Sequence, residues 1–299
     1  MKYSVSVLIP VYNRKFPLVR ALNSVLNQTY LPDEIIVADD ASDFFVADYL
    51  QNEHPEIASK VKVVRCSENR GVSGARNLAF SHSSGNIIAF LDSDDCWDPK
   101  KLAEQIKVFE EDPTIDLVSC KQWIIKGNTK KDQAKNFYSK NLFDHLTSDW
   151  HPPNPSTLVL RREHMETIPF DETIRYLEDL DWWLRFSLLE PNIRCIDKPL
   201  MFYYINEENR LSYTLFHERF KKIEHILLQW KQRVIKYRGL DQYNRFRRYL
   251  LTYNAIDAFV VYSRKRDIIL VTKIVFGYLW NKREFYQLLR SKTVSMMKE

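Results

Sequence analysis

Three stretches of this 299-residue chain set carboxylates side by side where packing has no use for them: Asp39-Asp40, Asp92-Ser93-Asp94-Asp95 and Glu178-Asp179. Acids this close raise one another's pKa unless a cation or hydrogen-bond donors hold them. Two kinds of chemistry use such groups. A cluster can grip a hard divalent cation on a phosphorylated ligand, and one held carboxylate can take the proton from an attacking hydroxyl. The plain structural readings are a solvated acidic turn at 92–95 and ordinary first-turn helix chemistry at Glu178-Asp179, where the helix dipole favours acids.

The segments around the acids weigh on that choice. Ile87-Ile88-Ala89-Phe90-Leu91 is an unbroken apolar run, the pattern of a strand buried on both faces of a parallel sheet. The acids follow at its carboxyl end, where open α/β sheets bind ligands. Val5 to Ile9 reads as a first strand stopped by Pro10, and Leu18, Val19, Leu22, Val25 and Leu26 fall at helical spacing. Glu34 to Ala38 is a strand ending in Asp39-Asp40-Ala41-Ser42, followed by a helix over 44–52, a strand over 61–64 and a helix over 73–82. This alternation predicts successive βα units and a mainly parallel sheet. Parallel strands then place Pro10, Asp39-Asp40, Ser67 and Asp92-Ser93-Asp94 along one rim. Neither GxGxxG nor GxxxxGK[ST] occurs, which excludes a dinucleotide fold and a P-loop.

Beyond the acids the pattern predicts a helix over 100–110, a strand over 116–120 and a Lys-rich mobile loop over 126–140. The proline-rich stretch 150–156 cannot be helical and is expected to shape a pocket wall before a strand over 156–160. A helix starting at Glu178 should pair Asp181 with Arg185 one turn on. Trp182 and Trp183 on that helix suit a core better than a stacking platform for a sugar. Strands near 194–196 and 200–204 complete the body.

The remainder differs in kind. Phe216, Phe220, Ile223, Leu227, Trp230, Val234 and Tyr237 alternate in steps of four and three, the period of a helix packed on another helix. Gly239 stops that helix and Asp241 can cap the next, with further helices expected near 267–280 and 284–296. The net charge of +5 conceals a division: residues 215–299 hold 19 Lys and Arg against 7 Asp and Glu, a net of +12, leaving −7 on residues 1–214. Such a basic region suits an anionic membrane surface, a dimer interface or a solvated lid, and no nucleic-acid motif accompanies it. Four scattered cysteines without zinc spacing read as reduced thiols. The start of the chain is too short and strand-like for a signal peptide, and 268–280 is too short to span a bilayer. A cytoplasmic protein, peripheral at most on the inner face of a membrane, is the simplest expectation.

Val7-Leu8-Ile9-Pro10-Val11-Tyr12-Asn13-Arg14, Ile35 to Ser42, Asn69 to Asn77, Leu91 to Asp95 and Glu178-Asp179 resemble, in order and spacing, the family 2 glycosyltransferases with a GT-A fold. The resemblance covers roughly residues 3–205. It implies a GT-A α/β fold, with a mainly parallel sheet flanked by helices, over a catalytic domain 1–214; the basic α-helical domain expected over 215–299 rests on its helical spacing and charge and carries no part of the resemblance. It also implies an inverting hexosyltransferase that moves a sugar from a UDP-sugar to a saccharide or lipid-linked saccharide acceptor in surface glycan synthesis. In that frame Asp40 accepts the N3–H of the base, Pro10 and Tyr12 hold base and ribose, and Asp92 with Ser93 lies on the sugar-nucleotide side. Asp94 coordinates Mn²⁺ or Mg²⁺ on the diphosphate. Asp95 is an acid behind the ligands, or a helix cap. Asp179 is the catalytic base, with Glu178 tuning it, and Arg76 (like Arg70) touches phosphate or pairs with an acid of the rim. One departure stands out: the family often carries a His after the last strand, and Tyr203 to Asn209 has none, so Asn206 or Glu207 would have to substitute. Two other readings remain, a phosphatase using the Asp-x-Asp and a catalytically silent nucleotide-sugar-binding module. The Asp95-Cys96-Trp97 that follows the acids does not suit the former, and Asp179 argues against the latter.

Overall fold

The computed structural model describes residues 3–132, 142–148, 152–205 and 216–264. It divides into two compact units, residues 1–143 with 152–209, and residues 144–151 with 210–299. In the first unit nine strands form one sheet in the order β3-β2-β1-β4-β8-β6-β9-β5, with β7 pairing only β6. Four parallel strands make one side: β1 (Val5–Val11), β2 (Glu34–Asp39), β3 (Lys62–Arg65) and β4 (Ile87–Phe90). The connections are α1 (Lys15–Leu26), α2 (Val46–Glu53) with the short α3 (Pro55–Ala58), and α4 (Gly71–Ser81), giving the expected βα repetition. β1 is buried along its whole length, as the apolar run required.

The strand does not stop at Pro10. It continues to Val11, with Pro10 in register with Ala38 of β2, while pairing to β4 ends at Leu8. Proline is tolerated because beyond Leu8 that flank carries no ladder for its missing N–H to serve.

The other half is mixed. β5 (Cys96–Trp97), β6 (Leu117–Lys126), β7 (Thr129–Asp132), β8 (Val159–Arg161) and β9 (Ile193–Tyr204) contribute, with β8 antiparallel to both β4 and β6. Two expectations are corrected here. Residues 126–132 are not a loop but the tip and return strand of a hairpin, where Lys130 sits 4.1 Å over the Trp123 ring; the rest of that segment, 133–141, lies outside the described residues. The strands near 194 and 200 are one strand, because register shifts at Cys120–Gln122 absorb Asp197 and Lys198 as a bulge.

α5 (Lys101–Glu111) packs Leu102, Ile106 and Phe109 into the cluster formed by Val5, Val7, Ile9 and the inner face of α1. α7 (Arg162–Thr167) leads through the segment 168–177 to α8 (Glu178–Ser187). Trp182 and Trp183 are fully buried, which settles them as core: Phe90 of β4 meets Phe170 edge-on at 5.7 Å, Phe170 stacks on Trp182 at 5.8 Å, and Trp182 on Phe186 at 4.9 Å. Each indole buries on the order of 200 Å², about 5 kcal/mol as an upper bound. That aromatic stack fixes α8 beside β4, the strand that carries the acidic turn.

α6 (Leu142–Ser148) begins in the first unit and continues into the second, which also holds the helical segment α9 (Phe216–Arg264), broken at Gly239, whose φ of 85° only glycine adopts freely. Ile223, Leu227, Trp230 and Val234 are buried as the spacing predicted, with Tyr243, Phe246 and Leu250 after the break, whereas Tyr237 is exposed. The helices expected near 267–280 and 284–296 lie outside the described residues.

Candidate active site

Because β1, β2 and β4 run parallel, their carboxyl ends meet along one edge: Val11 faces Asp39 across the β1–β2 ladder and Leu8 faces Phe90 across β1–β4. The turns leaving these strands form the site.

Asp39 and Asp40 act differently. Asp39 is spent on its own turn, accepting the Ser42 N–H at 2.9 Å and pairing with Arg65. Asp40 is buried and accepts the Arg70 N–H at 2.7 Å. Burial raises its pKa, against the lowering effect of that hydrogen bond. Burial and the neighbouring Asp40 also push the Cys66 thiol up to about 11, so it stays protonated beside the carboxylate; all four cysteines are buried and outside any disulfide, as expected. Pro10 is buried in β1, and Tyr12, just past the strand, is 46% exposed. Asn13, at φ 53°, ties that loop to the neighbouring one: its N–H donates to Ser42 Oγ and its side chain exchanges hydrogen bonds with Asp43.

The acidic turn after β4 is closed by the Asp95 N–H on the Asp92 carbonyl at 3.0 Å. Ser156 stitches it from behind, donating to Asp95 Oδ2 at 2.7 Å and accepting the Asp92 N–H at 3.0 Å. Asp95 is 1% exposed, its Oδ1 has no hydrogen-bond partner, and burial with Asp94 and Asp92 beside it raises its pKa well above the ordinary value. Ser93 is buried between the two outer acids. Asp94 pairs with Arg14 at 2.6 Å, and its backbone carbonyl accepts from Arg20 Nη2 at 2.7 Å. Asp94 too is raised, chiefly by burial, with Arg14 opposing.

Glu178 and Asp179 open α8 after Leu177, which takes the left-handed conformation at φ 61° and turns the chain sharply into the helix. Arg76 of α4, 2% exposed, reaches Asp92 at 2.8 Å and Glu178 at 3.4 Å. It thus joins two acidic motifs that lie 86 positions apart in sequence. Burial lifts Glu178 to about 7, with Asp179 adding to the rise and Arg76 opposing it. Asp179 is also raised by burial, and the Leu180 N–H donates to its Oδ1 at 2.8 Å.

Arg76 thus brings the turn 92–95 into contact with Glu178, while Asp40 meets the backbone of Arg70, whose side chain pairs with Glu172 ahead of α8. Sequence reasoning gave Arg14, Arg20, Ser156 and Glu172 no role. Glu172 holds Arg70 through Nε at 3.0 Å and Asn77 at 3.0 Å, pinning the segment before α8 to the loop beside Asp40. Of these only Arg14 had a signal, since it ends the first resembling motif. The carboxylates at 92 and 94 are hard oxygen donors of the kind a divalent cation takes, and in this structure each is paired with an arginine, Asp92 with Arg76 and Asp94 with Arg14; the Oδ1 of the buried Asp95 carboxyl has no hydrogen-bond partner. Among the described residues the one group whose three ligand atoms lie within 4.8 Å of one another is elsewhere, Asp116, Glu163 and His164. It is structural: Asp116 accepts from the Asn192 N–H at 2.6 Å and contacts His164 at 3.0 Å, joining α7 to β6.

A mixed sheet with acidic turns at the carboxyl ends of its parallel strands is the GT-A arrangement, and residues 6–169 match the family model described as glycosyl transferase family 2. The chain belongs to that family of sugar-transferring enzymes. Among curated proteins it is similar to an uncharacterized glycosyltransferase of Nostoc sp. (strain PCC 7120), 34% identical over 175 residues, covering 56% of this chain and 54% of that one. It is also similar to UDP-Glc:alpha-D-GlcNAc-diphosphoundecaprenol beta-1,3-glucosyltransferase WfaP of Escherichia coli, 29% identical over 224 residues, covering 72% and 82%. The chain thus spans about half the length of the Nostoc relative, and 32% of a Rickettsia felis one. Among solved structures it shares its fold with TarS 1-349 of S. aureus in complex with UDP-GlcNAc (TM-score 0.58, 16% identity, 92% of this chain and 91% of that one). The mannosyltransferase PcManGT of Pyrobaculum calidifontis in complex with GDP-Man and Mn2+ is also similar (TM-score 0.61, 18% identity, 97% and 85%). Family membership sets aside the phosphatase reading. No described helix is long and apolar enough to cross a membrane.

Proposed function

We propose that the chain transfers a sugar from a UDP-sugar to a hydroxyl of a saccharide or lipid-linked saccharide, with inversion, in the assembly of a surface glycan. The observation that carries this reading is Arg76, which holds Asp92 and Glu178 to one guanidinium and so sets the donor-side acids beside the acid pair of α8. Asp40 accepts the N3–H of uracil, a role suited to a fixed carboxylate facing a single donor between two carbonyls. Pro10 and Tyr12 flank base and ribose, and Asp92 with Ser93 faces the sugar. Asp94, with Asp92, would hold Mn²⁺ or Mg²⁺; when bound, that ion supplies charge neutralisation on the departing diphosphate.

Asp179 accepts the acceptor hydroxyl proton as the new bond forms on the face opposite the leaving group. Its raised pKa helps, because a base is most effective when its pKa lies near the working pH. Glu178, at about 7, shares a proton with the site near neutrality and keeps the pair from carrying two full charges against Arg76.

The second unit supplies the acceptor's setting in this proposal. Lys231, Arg233, Lys236, Arg245, Arg247 and Arg248 are exposed there, with Glu224 and Asp241 the exposed acids of the described part of α9. That surface suits an anionic membrane on which a lipid-linked acceptor is presented. WfaP is named for a diphosphoundecaprenol-linked acceptor, which supports the same reading.

A panel of nucleotide sugars, screened for hydrolysis and thermal stabilisation with Mn²⁺, should single out a UDP-sugar. Asp179→Asn should keep UDP affinity within a few-fold and lower transfer by about 10²- to 10⁴-fold. Near-normal turnover in that variant removes Asp179 as the base.

A further inference from the structure

Asp94 is held in two separate ways. Its backbone carbonyl accepts from Arg20 Nη2 at 2.7 Å, and the Arg20 guanidinium lies 3.5 Å over the Tyr204 ring at the end of β9, which fixes that arginine to the sheet. Its carboxylate instead meets Arg14 at 2.6 Å, and Arg14 is the N-cap residue of α1, directly after the Tyr12-Asn13 loop that borders Asp40. Both side chains of that pair keep partial exposure, 24% and 31%, whereas Arg76 on the other acid of the turn is fully enclosed. The backbone of Asp94 is therefore anchored independently of Arg14, and the charge on its carboxylate is balanced by a partner that solvent and ligand can reach.

We propose that Arg14 is a resident counter-ion for Asp94 that a nucleoside diphosphate draws away, so that Asp94 offers itself to a divalent cation more strongly with the donor than without it. Arg14 is then a positioning residue, and the inference rests on the reading of Asp94 as a cation ligand. Two elementary facts support the exchange. A carboxylate neutralised by a guanidinium at hydrogen-bond distance offers a cation less, so the cation alone must compete with Arg14. A diphosphate offers that same guanidinium more acceptor oxygens and more charge than one carboxylate does, and guanidinium forks suit phosphate. Cation and nucleotide binding are thereby coupled, each improving the affinity of the other by the same factor. The loop geometry agrees: Arg14 follows the exposed Tyr12 and the positive-φ Asn13, whose bonds to Ser42 and Asp43 fasten it to the turn carrying Asp40. Base recognition and release of Asp94 thus share one loop.

The test compares wild type, Arg14→Gln, Arg14→Lys and Asp94→Asn. Mn²⁺ binding is measured alone by the loss of the free-ion electron paramagnetic resonance signal, and UDP binding by calorimetry with and without Mn²⁺. Arg14→Gln should bind Mn²⁺ alone about tenfold more tightly than wild type, the effect of removing one charged hydrogen bond. It should also lose most of the enhancement that Mn²⁺ gives to UDP affinity. Arg14→Lys, which keeps a cation, should resemble wild type for Mn²⁺ alone. If Arg14→Gln binds Mn²⁺ alone no better than wild type while Asp94→Asn abolishes that binding, the counter-ion role is overturned and the cation site stands. If Asp94→Asn binds Mn²⁺ and UDP as wild type does, the reading of Asp94 itself fails.

Discussion

Glu178 shows at the level of one residue how the site opposes the stability of the fold. Its carboxyl titrates at about 7 in the folded chain against an ordinary 4.5, through burial first and Asp179 second. A raised pKa means that the folded state binds the proton more tightly than the unfolded chain does. The associated stability is complete below about 4.5 and is lost as pH climbs toward 7. Asp40, Asp94, Asp95 and Asp179 are displaced in the same direction. Glu178→Gln removes one such group, so its stability relative to wild type should rise between pH 4.5 and 7, by on the order of 1–3 kcal/mol. Denaturant midpoints at several pH values check this, and a constant difference across the window refutes it. The acids at 40, 94 and 179 were legible in the sequence as candidates. The arginines that pair with Asp92, Asp94 and Glu178 were not, because a guanidinium reaches its acid across space, and nothing in the spacing of Arg14 or Arg76 says which acid it will meet.

At the scale of elements, apolar runs and helical spacing located β1 to β4 and their helices to within two residues or so. Errors gathered where burial is one-sided. The Lys-rich return strand β7 carries no apolar alternation, yet it pairs β6 because Gly127 at φ 53° allows a two-residue turn there. Gly85, just before β4, constrains the fold at the edge opposite the site. A Cβ there would lie 2.5 Å from Ser6 Oγ, in β1, and 2.7 Å from the carbonyl of Ser4, the residue just before that strand. Its N–H also donates to Ser6 Oγ at 2.8 Å. Gly85→Ala should therefore cost about 1–3 kcal/mol through overpacking against backbone that cannot move aside. UDP affinity at permissive temperature should be unchanged, since none of the site residues is near. Calorimetric unfolding together with UDP titration separates the two effects, and an unaltered melting temperature counts against the close approach.

For the whole molecule, the division of charge makes a prediction of its own. Sedimentation with vesicles should show binding of the full chain to anionic lipid at low salt, weakened by salt and by Arg245→Glu with Arg247→Glu and Arg248→Glu. Equal binding to neutral vesicles argues against the membrane reading, and a concentration-dependent dimer without lipid binding favours the interface between copies.

The sequence by itself determined the βα repetition, the rim on which Asp40 and the turn 92–95 lie, and the family, because strand burial and motif order are local properties that a linear pattern records. Only the tertiary structure decided that Glu178 and Asp179 stand with Asp92. That union depends on the aromatic stack of Phe90, Phe170, Trp182 and Phe186 and on one enclosed arginine between two acids, contacts whose energy exists only once the chain has closed on itself.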